Sequence, residues 1–228
     1  VPGSMMMPPL DYVNINDGER NRTGVWAEWE AAPAPAWSTL FGVRYENVEM
    51  DAGEVQPYSW TGMMNMPDAM AAMAFNAADR AREDDNIDVT AKATWRPSDT
   101  LAVEFGAAQK TRSPNLYERY AWGRGSMSSS MTNMTGDGAG YVGDINLEPE
   151  VARSLAATLD WSDGVKDGRV LRVSGWATHV EDYIDADRIG SLRDGLPMLQ
   201  FANHKAELYG LEATGAMPLW QTGYGNTR

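Results

Sequence analysis

Residues 86–112 read NIDVTAKATWRPSDTLAVEFGAAQKTR. Ile87, Val89, Ala91, Ala93 and Trp95 alternate without error with Asn86, Asp88, Thr90, Lys92 and Thr94, the repeat of a strand with one apolar face. After RPSDT the alternation resumes, with Leu101, Val103, Phe105 and Ala107 opposed by Glu104, Gly106, Ala108, Lys110 and Arg112. Two such runs around a short turn predict an antiparallel hairpin that is apolar on one side and polar on the other.

The same unit occurs on both sides of this stretch. TGVWAEWEA sets Val25, Ala27, Trp29 and Ala31 against Trp26, Glu28 and Glu30; after APAP, WSTLFGVRYENVEM returns with Phe41, Val43 and Tyr45 opposed by Gly42, Arg44 and Glu46. RSLAATLDW places Leu155, Ala157, Leu159 and Trp161 on one face, SDGVKDG turns, and RVLRVSGWATHVEDY climbs back. AELYGLEATGAM, with Tyr209, Leu211 and Ala213 opposite Glu212 and Thr214, makes a seventh strand. Connections after Ala31, Trp95, Trp161 and Met217 are short, whereas those at about 52–84 and 113–147 run to roughly thirty residues, far beyond usual loop lengths.

Short turns at one end and long loops at the other match a transmembrane β-barrel of the outer-membrane type. The mean hydropathy of −0.44 is no objection, because lipid-facing and lumen-facing residues alternate in such a barrel. Trp29, Trp95 and Trp161 end descending strands on the apolar face and Trp37 begins an ascending one, as an aromatic girdle at the turn end requires. A soluble antiparallel sandwich is the alternative. Against it stand Glu28, Glu30, Arg44, Glu46, Lys92 and Glu104 on the inward positions, which suit a wet lumen. The expected class is therefore all-β, about seven strands of a larger antiparallel transmembrane barrel. The chain starts VPGSMMMPP and ends QTGYGNTR, which predicts an internal piece of the barrel over 1–228 that does not fold alone, since an open sheet leaves unpaired edges.

Composition narrows the function. With 19 Lys and Arg against 32 Asp and Glu, a net charge of −13 leaves nothing to neutralise a row of phosphates, so no nucleic-acid partner is expected. There is no cysteine, hence no disulfide, thiolate metal site or thiol nucleophile. Neither a nucleophile elbow, a phosphate-binding loop nor a catalytic Ser/His/Asp arrangement occurs, and no enzyme is expected.

Three phrases carry a family resemblance: GAAQKTRSPNLYERY, GDINLEPEVARSLAATLDW and ADRIGSLRDGLPMLQFANHKAELYGLEATG, in this order. Together they resemble the barrel half of TonB-dependent outer-membrane receptors, over most of Thr23 to Met217. SPNLYERYAWGRG, a methionine-bearing loop and GDGAGYVGDINLEPE are similar to the TonB-dependent copper receptors within that group. The resemblance implies a barrel of about 22 strands closed by an N-terminal plug. It also implies the outer membrane of a Gram-negative cell as location, with its lipid as a partner. Coupling to the TonB–ExbB–ExbD complex would run through a box near the N-terminus of the whole receptor; neither plug nor box lies in this sequence.

The 14 methionines then acquire a side. Met5, Met6 and Met7 precede the first descending strand; Met63, Met64, Met66, Met70 and Met73 lie in the first long loop, and Met127, Met131 and Met134 in the second, all on the extracellular side of the expected topology. Thioether sulfur is a soft ligand that selects Cu(I) and, being neutral, needs no deprotonation. These eight loop methionines and His204 are the candidate metal ligands, with a copper ion as the transported cargo rather than a catalytic cofactor. The competing reading of MPDAMAAMAF is a short helix packing Met66, Met70 and Met73 onto neighbouring loops. His179 lies near Glu181 and Asp182 and is a weaker candidate. Asp137 and Asp144 lack the spacing of a calcium loop and read as turn residues. Tyr58, Trp60, Tyr117, Tyr120 and Trp122 keep open a receptor for a ferric siderophore or cobalamin-like ligand, and a passive porin or structural outer-membrane barrel is the alternative of another class.

Overall fold

The computed structural model describes residues 13–56, 66–124, 135–192 and 195–218, with the backbone of 220–222 and 225–227. Seven long strands form one antiparallel meander: β1 (Glu19–Ala34), β2 (Trp37–Asp51), β3 (Arg82–Ser98), β4 (Leu101–Arg112), then β6 (Glu150–Ser162), β7 (Val170–Ser191) and β8 (Pro197–Ala216). A short β5 (Gly140–Val142) from the second long connection pairs in parallel with Met198–Gln200 at the outer edge of β8. The pair β9 (Trp220–Thr222) and β10 (Gly225–Thr227) forms a separate hairpin. Two helices interrupt the long connections, α1 (Met66–Ala77) and α2 (Leu116–Tyr120).

The register joins the faces read from the sequence into continuous rows. Paired across the strands in turn are Trp29, Phe41, Ala91, Ala107, Leu155, Ala177 and Tyr209, one apolar rung across the whole sheet. Directly paired residues share a face, so a one-residue slip anywhere would send this rung to the polar side. No second sheet covers it among the described residues: Val25, Trp29, Leu155, Tyr209 and Leu211 are all exposed. That excludes the sandwich, whose apolar faces are mutually buried. It also identifies this face as one made for hydrocarbon. No helix among the described residues is long and apolar enough to cross a membrane.

On the opposite face charges are paired across strands, Lys92 with Glu104 at 2.7 Å and Arg172 with Asp160 at 3.2 Å. Trp37 and Trp95 share a rung at the end of the sheet that carries the short β1–β2 and β3–β4 turns, their rings stacked 6.1 Å apart. Trp29 departs from expectation. Strand β1 does not end there but continues to Ala34, so Trp29 pairs with Phe41 further up the wall.

The third hairpin also differs from its reading. Alternation fades after Tyr183, yet β7 continues to Ser191 and β8 begins at Pro197. A bulge at Val180/Tyr183, with Asp182 at φ 56°, shifts the register, and the extension beyond it mixes Asp185, Asp187 and Gln200 with Ile184, Leu199 and Phe201. A bulge interrupts the period-2 alternation, so the extension carries no clean strand signal.

Buried apolar side chains gather at the loop end. Val48, Met50, Ala52 and Tyr120 form one cluster, packed by Ile15, Phe75, Leu116 and Ile145; Val55, Ala72, Trp122 and Val142 form the other, with Phe75 and Met198 against it. The core thus lies between the long connections and the upper polar face of β2 and β3. Its place decides what the loops can present.

Candidate metal-capture site at the loop end

Helix α1 forms because MPDAMAAMAFNA is rich in alanine and methionine, with Pro67 in the first turn, where a missing N–H costs nothing. Its inner face is held at several points. Ala72 is buried, Phe75 meets the Trp122 ring at 5.3 Å, and the Asn76 amide exchanges hydrogen bonds of 2.8 and 2.9 Å with the backbone of Val55. Arg80 closes the end, donating to the Asn76 carbonyl at 2.8 Å and the Ala52 carbonyl at 2.8 Å. At the other end Arg124 reaches Asp68 at 3.3 Å and lies 5.5 Å from the Trp122 ring.

At about 100° per residue, Met66, Met70 and Met73 fall within a narrow arc on the side away from Ala72 and Phe75. They are 54, 63 and 71 % exposed. The expected helix is therefore present, but among the described residues packing of these three methionines onto neighbouring loops is not. Alanine and Phe75 carry the packing, and the sulfurs face out. Met5, Met6, Met7, Met63, Met64, Met127, Met131 and Met134 lie outside the described residues.

His204 is on β8 with Nε2 3.3 Å from the Asp187 carboxylate. His179 shares a rung with Arg153 and Glu207, its Nδ1 3.8 Å from Glu207, at the upper border of the apolar face. Among the described residues no group of three or more His, Asp or Glu is placed to hold a metal ion. The remaining candidate chemistry at this end is thioether chemistry.

The second long connection is folded inward over the polar face. Its Asn115 caps α2, accepting from the Glu118 N–H at 2.9 Å while the Glu118 carboxylate accepts from the Asn115 N–H at 2.7 Å. Arg119 then enters the wall fully buried, donating to Asp84 Oδ1 at 2.7 Å and to the Leu147 carbonyl at 2.9 Å. Asn86 donates to Ser113 at 2.8 Å beside it. Around this node Arg22 bonds Glu46 at 2.5 Å and Arg44 bonds the same carboxylate oxygen. Burial pushes the Tyr120 phenol up to about 12, and its hydroxyl donates to the Arg80 carbonyl at 2.8 Å. One side chain thereby ties α2 to the segment that ends α1.

Glycines permit this closure. A Cβ on Gly143 would lie 2.3 Å from the Arg119 carbonyl oxygen, and one on Gly140 2.2 Å from that of Gly123. Two glycines of GDGAGYVGD thus mark places where backbones nearly touch. Asp137 and Asp144 are turn residues: Asp137 Oδ1 accepts from the Ala139 N–H at 2.9 Å and Asp144 Oδ1 from the Asn146 N–H at 2.8 Å. Neither the buried node nor β5 was read from the sequence. The Asn115-x-x-Glu118 spacing was the available signal for α2.

Of the five aromatic residues considered for a chelate, Tyr120 and Trp122 are buried in the two clusters, and Tyr58 and Trp60 lie outside the described residues. Tyr117 joins Tyr141 and Phe201 in a half-buried trio with centroids 5.6 to 6.0 Å apart.

Comparison with known proteins agrees with this architecture. The family model described as "TonB dependent receptor-like, beta-barrel" matches residues 3–228. No curated protein sequence matches the chain. Among solved structures, the copper transporter OprC superposes with a TM-score of 0.63 at 18 % identity, covering 87 % of this chain and 26 % of that one. The Serratia marcescens hemophore receptor HasR, solved with its hemophore HasA and heme, gives 0.62 at 18 % identity over 87 % and 32 %. The ferric-catecholate import receptor Fiu of E. coli K12 gives 0.53 at 15 % identity over 89 % and 26 %. At these identities the likeness is one of fold. The chain spans 26 to 32 % of the length of these three structures.

Proposed function

Because the chain belongs to the TonB-dependent receptor β-barrel family, a family of outer-membrane proteins, we propose that it is part of a receptor for TonB-coupled uptake of copper. The connections 52–81 and 113–149 face the outside, and the Met-bearing loops gather the ion there. The observation that carries the reading is the outward stripe of Met66, Met70 and Met73 on a helix whose packing does not need them. Among the described residues these long unbranched thioethers have no packing role to account for them, and soft sulfur suits copper better than the hard cations that carboxylates prefer. Met63, Met64, Met127, Met131, Met134 and His204 belong to the same proposal as further ligands. Passage through the barrel would follow displacement of the plug by TonB, powered by ExbB–ExbD. The role is transport and not catalysis.

A receptor for a metal chelate is the second reading, supported by the Tyr117, Tyr141 and Phe201 trio. The two are separated by uptake in cells whose only copy of the full-length receptor is wild type or carries leucine at all eight loop methionines. Copper accumulation that needs TonB and falls in the leucine variant supports the copper reading. TonB-dependent uptake of a ferric or heme chelate with no copper accumulation rejects it.

A further inference from the structure

The α1 stripe has a geometry that fixes how many ions it holds and which sulfur matters most. Residues three and four apart on a helix have Cβ atoms about 5–6 Å apart. Two thioethers in line across a soft ion, each at a metal–sulfur distance of about 2.3 Å, need sulfurs about 4.6 Å apart. Met66 with Met70, and Met70 with Met73, meet that requirement without distortion of the helix. Met66 and Met73 are separated by about 10.5 Å of helix rise, too far to hold one ion between them.

We propose that α1 carries two overlapping two-sulfur sites that share Met70, and that the stripe therefore binds one monovalent soft cation of the Cu(I) class at a time. This rests on the copper reading above and adds to it the oxidation state, the stoichiometry and the pivotal residue. The helix face supplies no harder donor. Its other exposed positions are Pro67, Ala74 and Ala77, and the carboxylate of Asp68 is engaged by Arg124. Cu(II) prefers nitrogen and oxygen in a tetragonal array and finds neither here. Ala72, Phe75, Asn76 and Arg80 hold the helix from behind, so the sulfurs are presented by a fixed support and only side-chain rotors must be ordered on binding.

The test uses the full-length receptor in detergent, with methyl-labelled methionine and a Met63→Leu, Met64→Leu background, titrated with Ag(I) as a redox-inert soft probe. At one equivalent at the stripe the Met70 methyl resonance shifts fully, and those of Met66 and Met73 each shift about half as far. Met66→Leu and Met73→Leu each weaken binding about twofold by removing one of two arrangements. Met70→Leu weakens it at least about 100-fold, because only single-sulfur contacts remain. The three positions are exposed, so leucine leaves the fold intact, checked by the heat-modifiable mobility of the barrel. Equal weakening by the three variants, or Met66 and Met73 shifts that persist in Met70→Leu, overturns the shared site. Copper uptake is measured on the same variants in cells: its presence in the wild type alongside a failed titration removes the site alone, and its absence in the wild type removes the copper reading.

Discussion

Replacing Arg119 by methionine should release the second long connection from the wall while leaving the strands in place. Arg119 is 1 % exposed and its partner Asp84 7 %. One nitrogen serves both Asp84 Oδ1 at 2.7 Å and the Leu147 carbonyl at 2.9 Å. Methionine fills most of the volume but leaves a buried carboxylate and a carbonyl without their donor. Removing one partner of a buried pair costs about 3–5 kcal/mol. At 1.36 kcal/mol per tenfold, the loop should then open roughly 10²- to 10⁴-fold more often. Hydrogen exchange of the full-length receptor in lipid nanodiscs reads this directly. The amides of Arg119, Gly143 and Asp144, bonded to Asn115, Ala121 and Glu118, should lose protection by that factor, while those of β4 stay unchanged. A loss smaller than tenfold, or one shared equally by β4, would refute the reasoning. The double replacement Arg119→Met with Asp84→Leu should recover most of the wild-type protection, because only the Leu147 carbonyl is then left without its donor. Among the described residues Nε and Nη1 of Arg119 and Oδ2 of Asp84 have no hydrogen-bond partner, so the pair already bears desolvation that an apolar pair would not.

Three further outcomes follow from other parts of the molecule. Gly143→Ala should displace the Arg119 carbonyl, which would stand 2.3 Å from the new Cβ, and reproduce the exchange phenotype of Arg119→Met without touching its side chain. Leu155→Arg, in the middle of the apolar rung, should destabilise the receptor in lipid vesicles by about 2–4 kcal/mol in urea titration, while Glu28→Ala on the polar face should change it by less than about 1 kcal/mol. Burial raises the Glu150 pKa, but hydrogen bonds from Arg112 at 2.6 Å and the Ile184 N–H at 2.8 Å outweigh it, and the net value lies below 4.5. A carboxylate with a lowered folded-state pKa stabilises fully above its unfolded value and loses that contribution as pH falls through the folded one. Protection of the Ile184 amide should therefore be flat from neutral pH down to about 4.5 and fall below it, and Glu150→Gln should remove that fall; an unchanged profile in the variant rules the linkage out.

The wall was legible from single residues because alternation is a local property. A strand with lipid on one side and water on the other must write its environment into every second position, as Ile87 to Trp95 and Leu101 to Ala107 do. The register rows only joined what each strand already declared. Beyond the bulge in β7 the register shifts and Ile184, Met198 and Phe201 meet the folded connections rather than lipid, so that writing stops and the extension of β7 and β8 is not legible in the alternation. The methionine stripe was half legible. Its spacing predicts a helix with three sulfurs on one side, but spacing cannot say whether that side faces a partner or the solvent.

Strand alternation, the two faces, the asymmetry of turns and loops, the acidic balance and the supply of soft ligands are all written in local stretches of residues. The fold settled that Ala72 and Phe75, not the methionines, seat α1. It alone placed Arg119 of the second connection on Asp84 of β3, 35 positions away, and turned Gly140 and Gly143 into points of close approach. The physical reason is range. Alternation depends on what each residue's own strand faces, whereas the loop end is settled by contacts between segments far apart in the chain, whose donors and cavities no single segment contains.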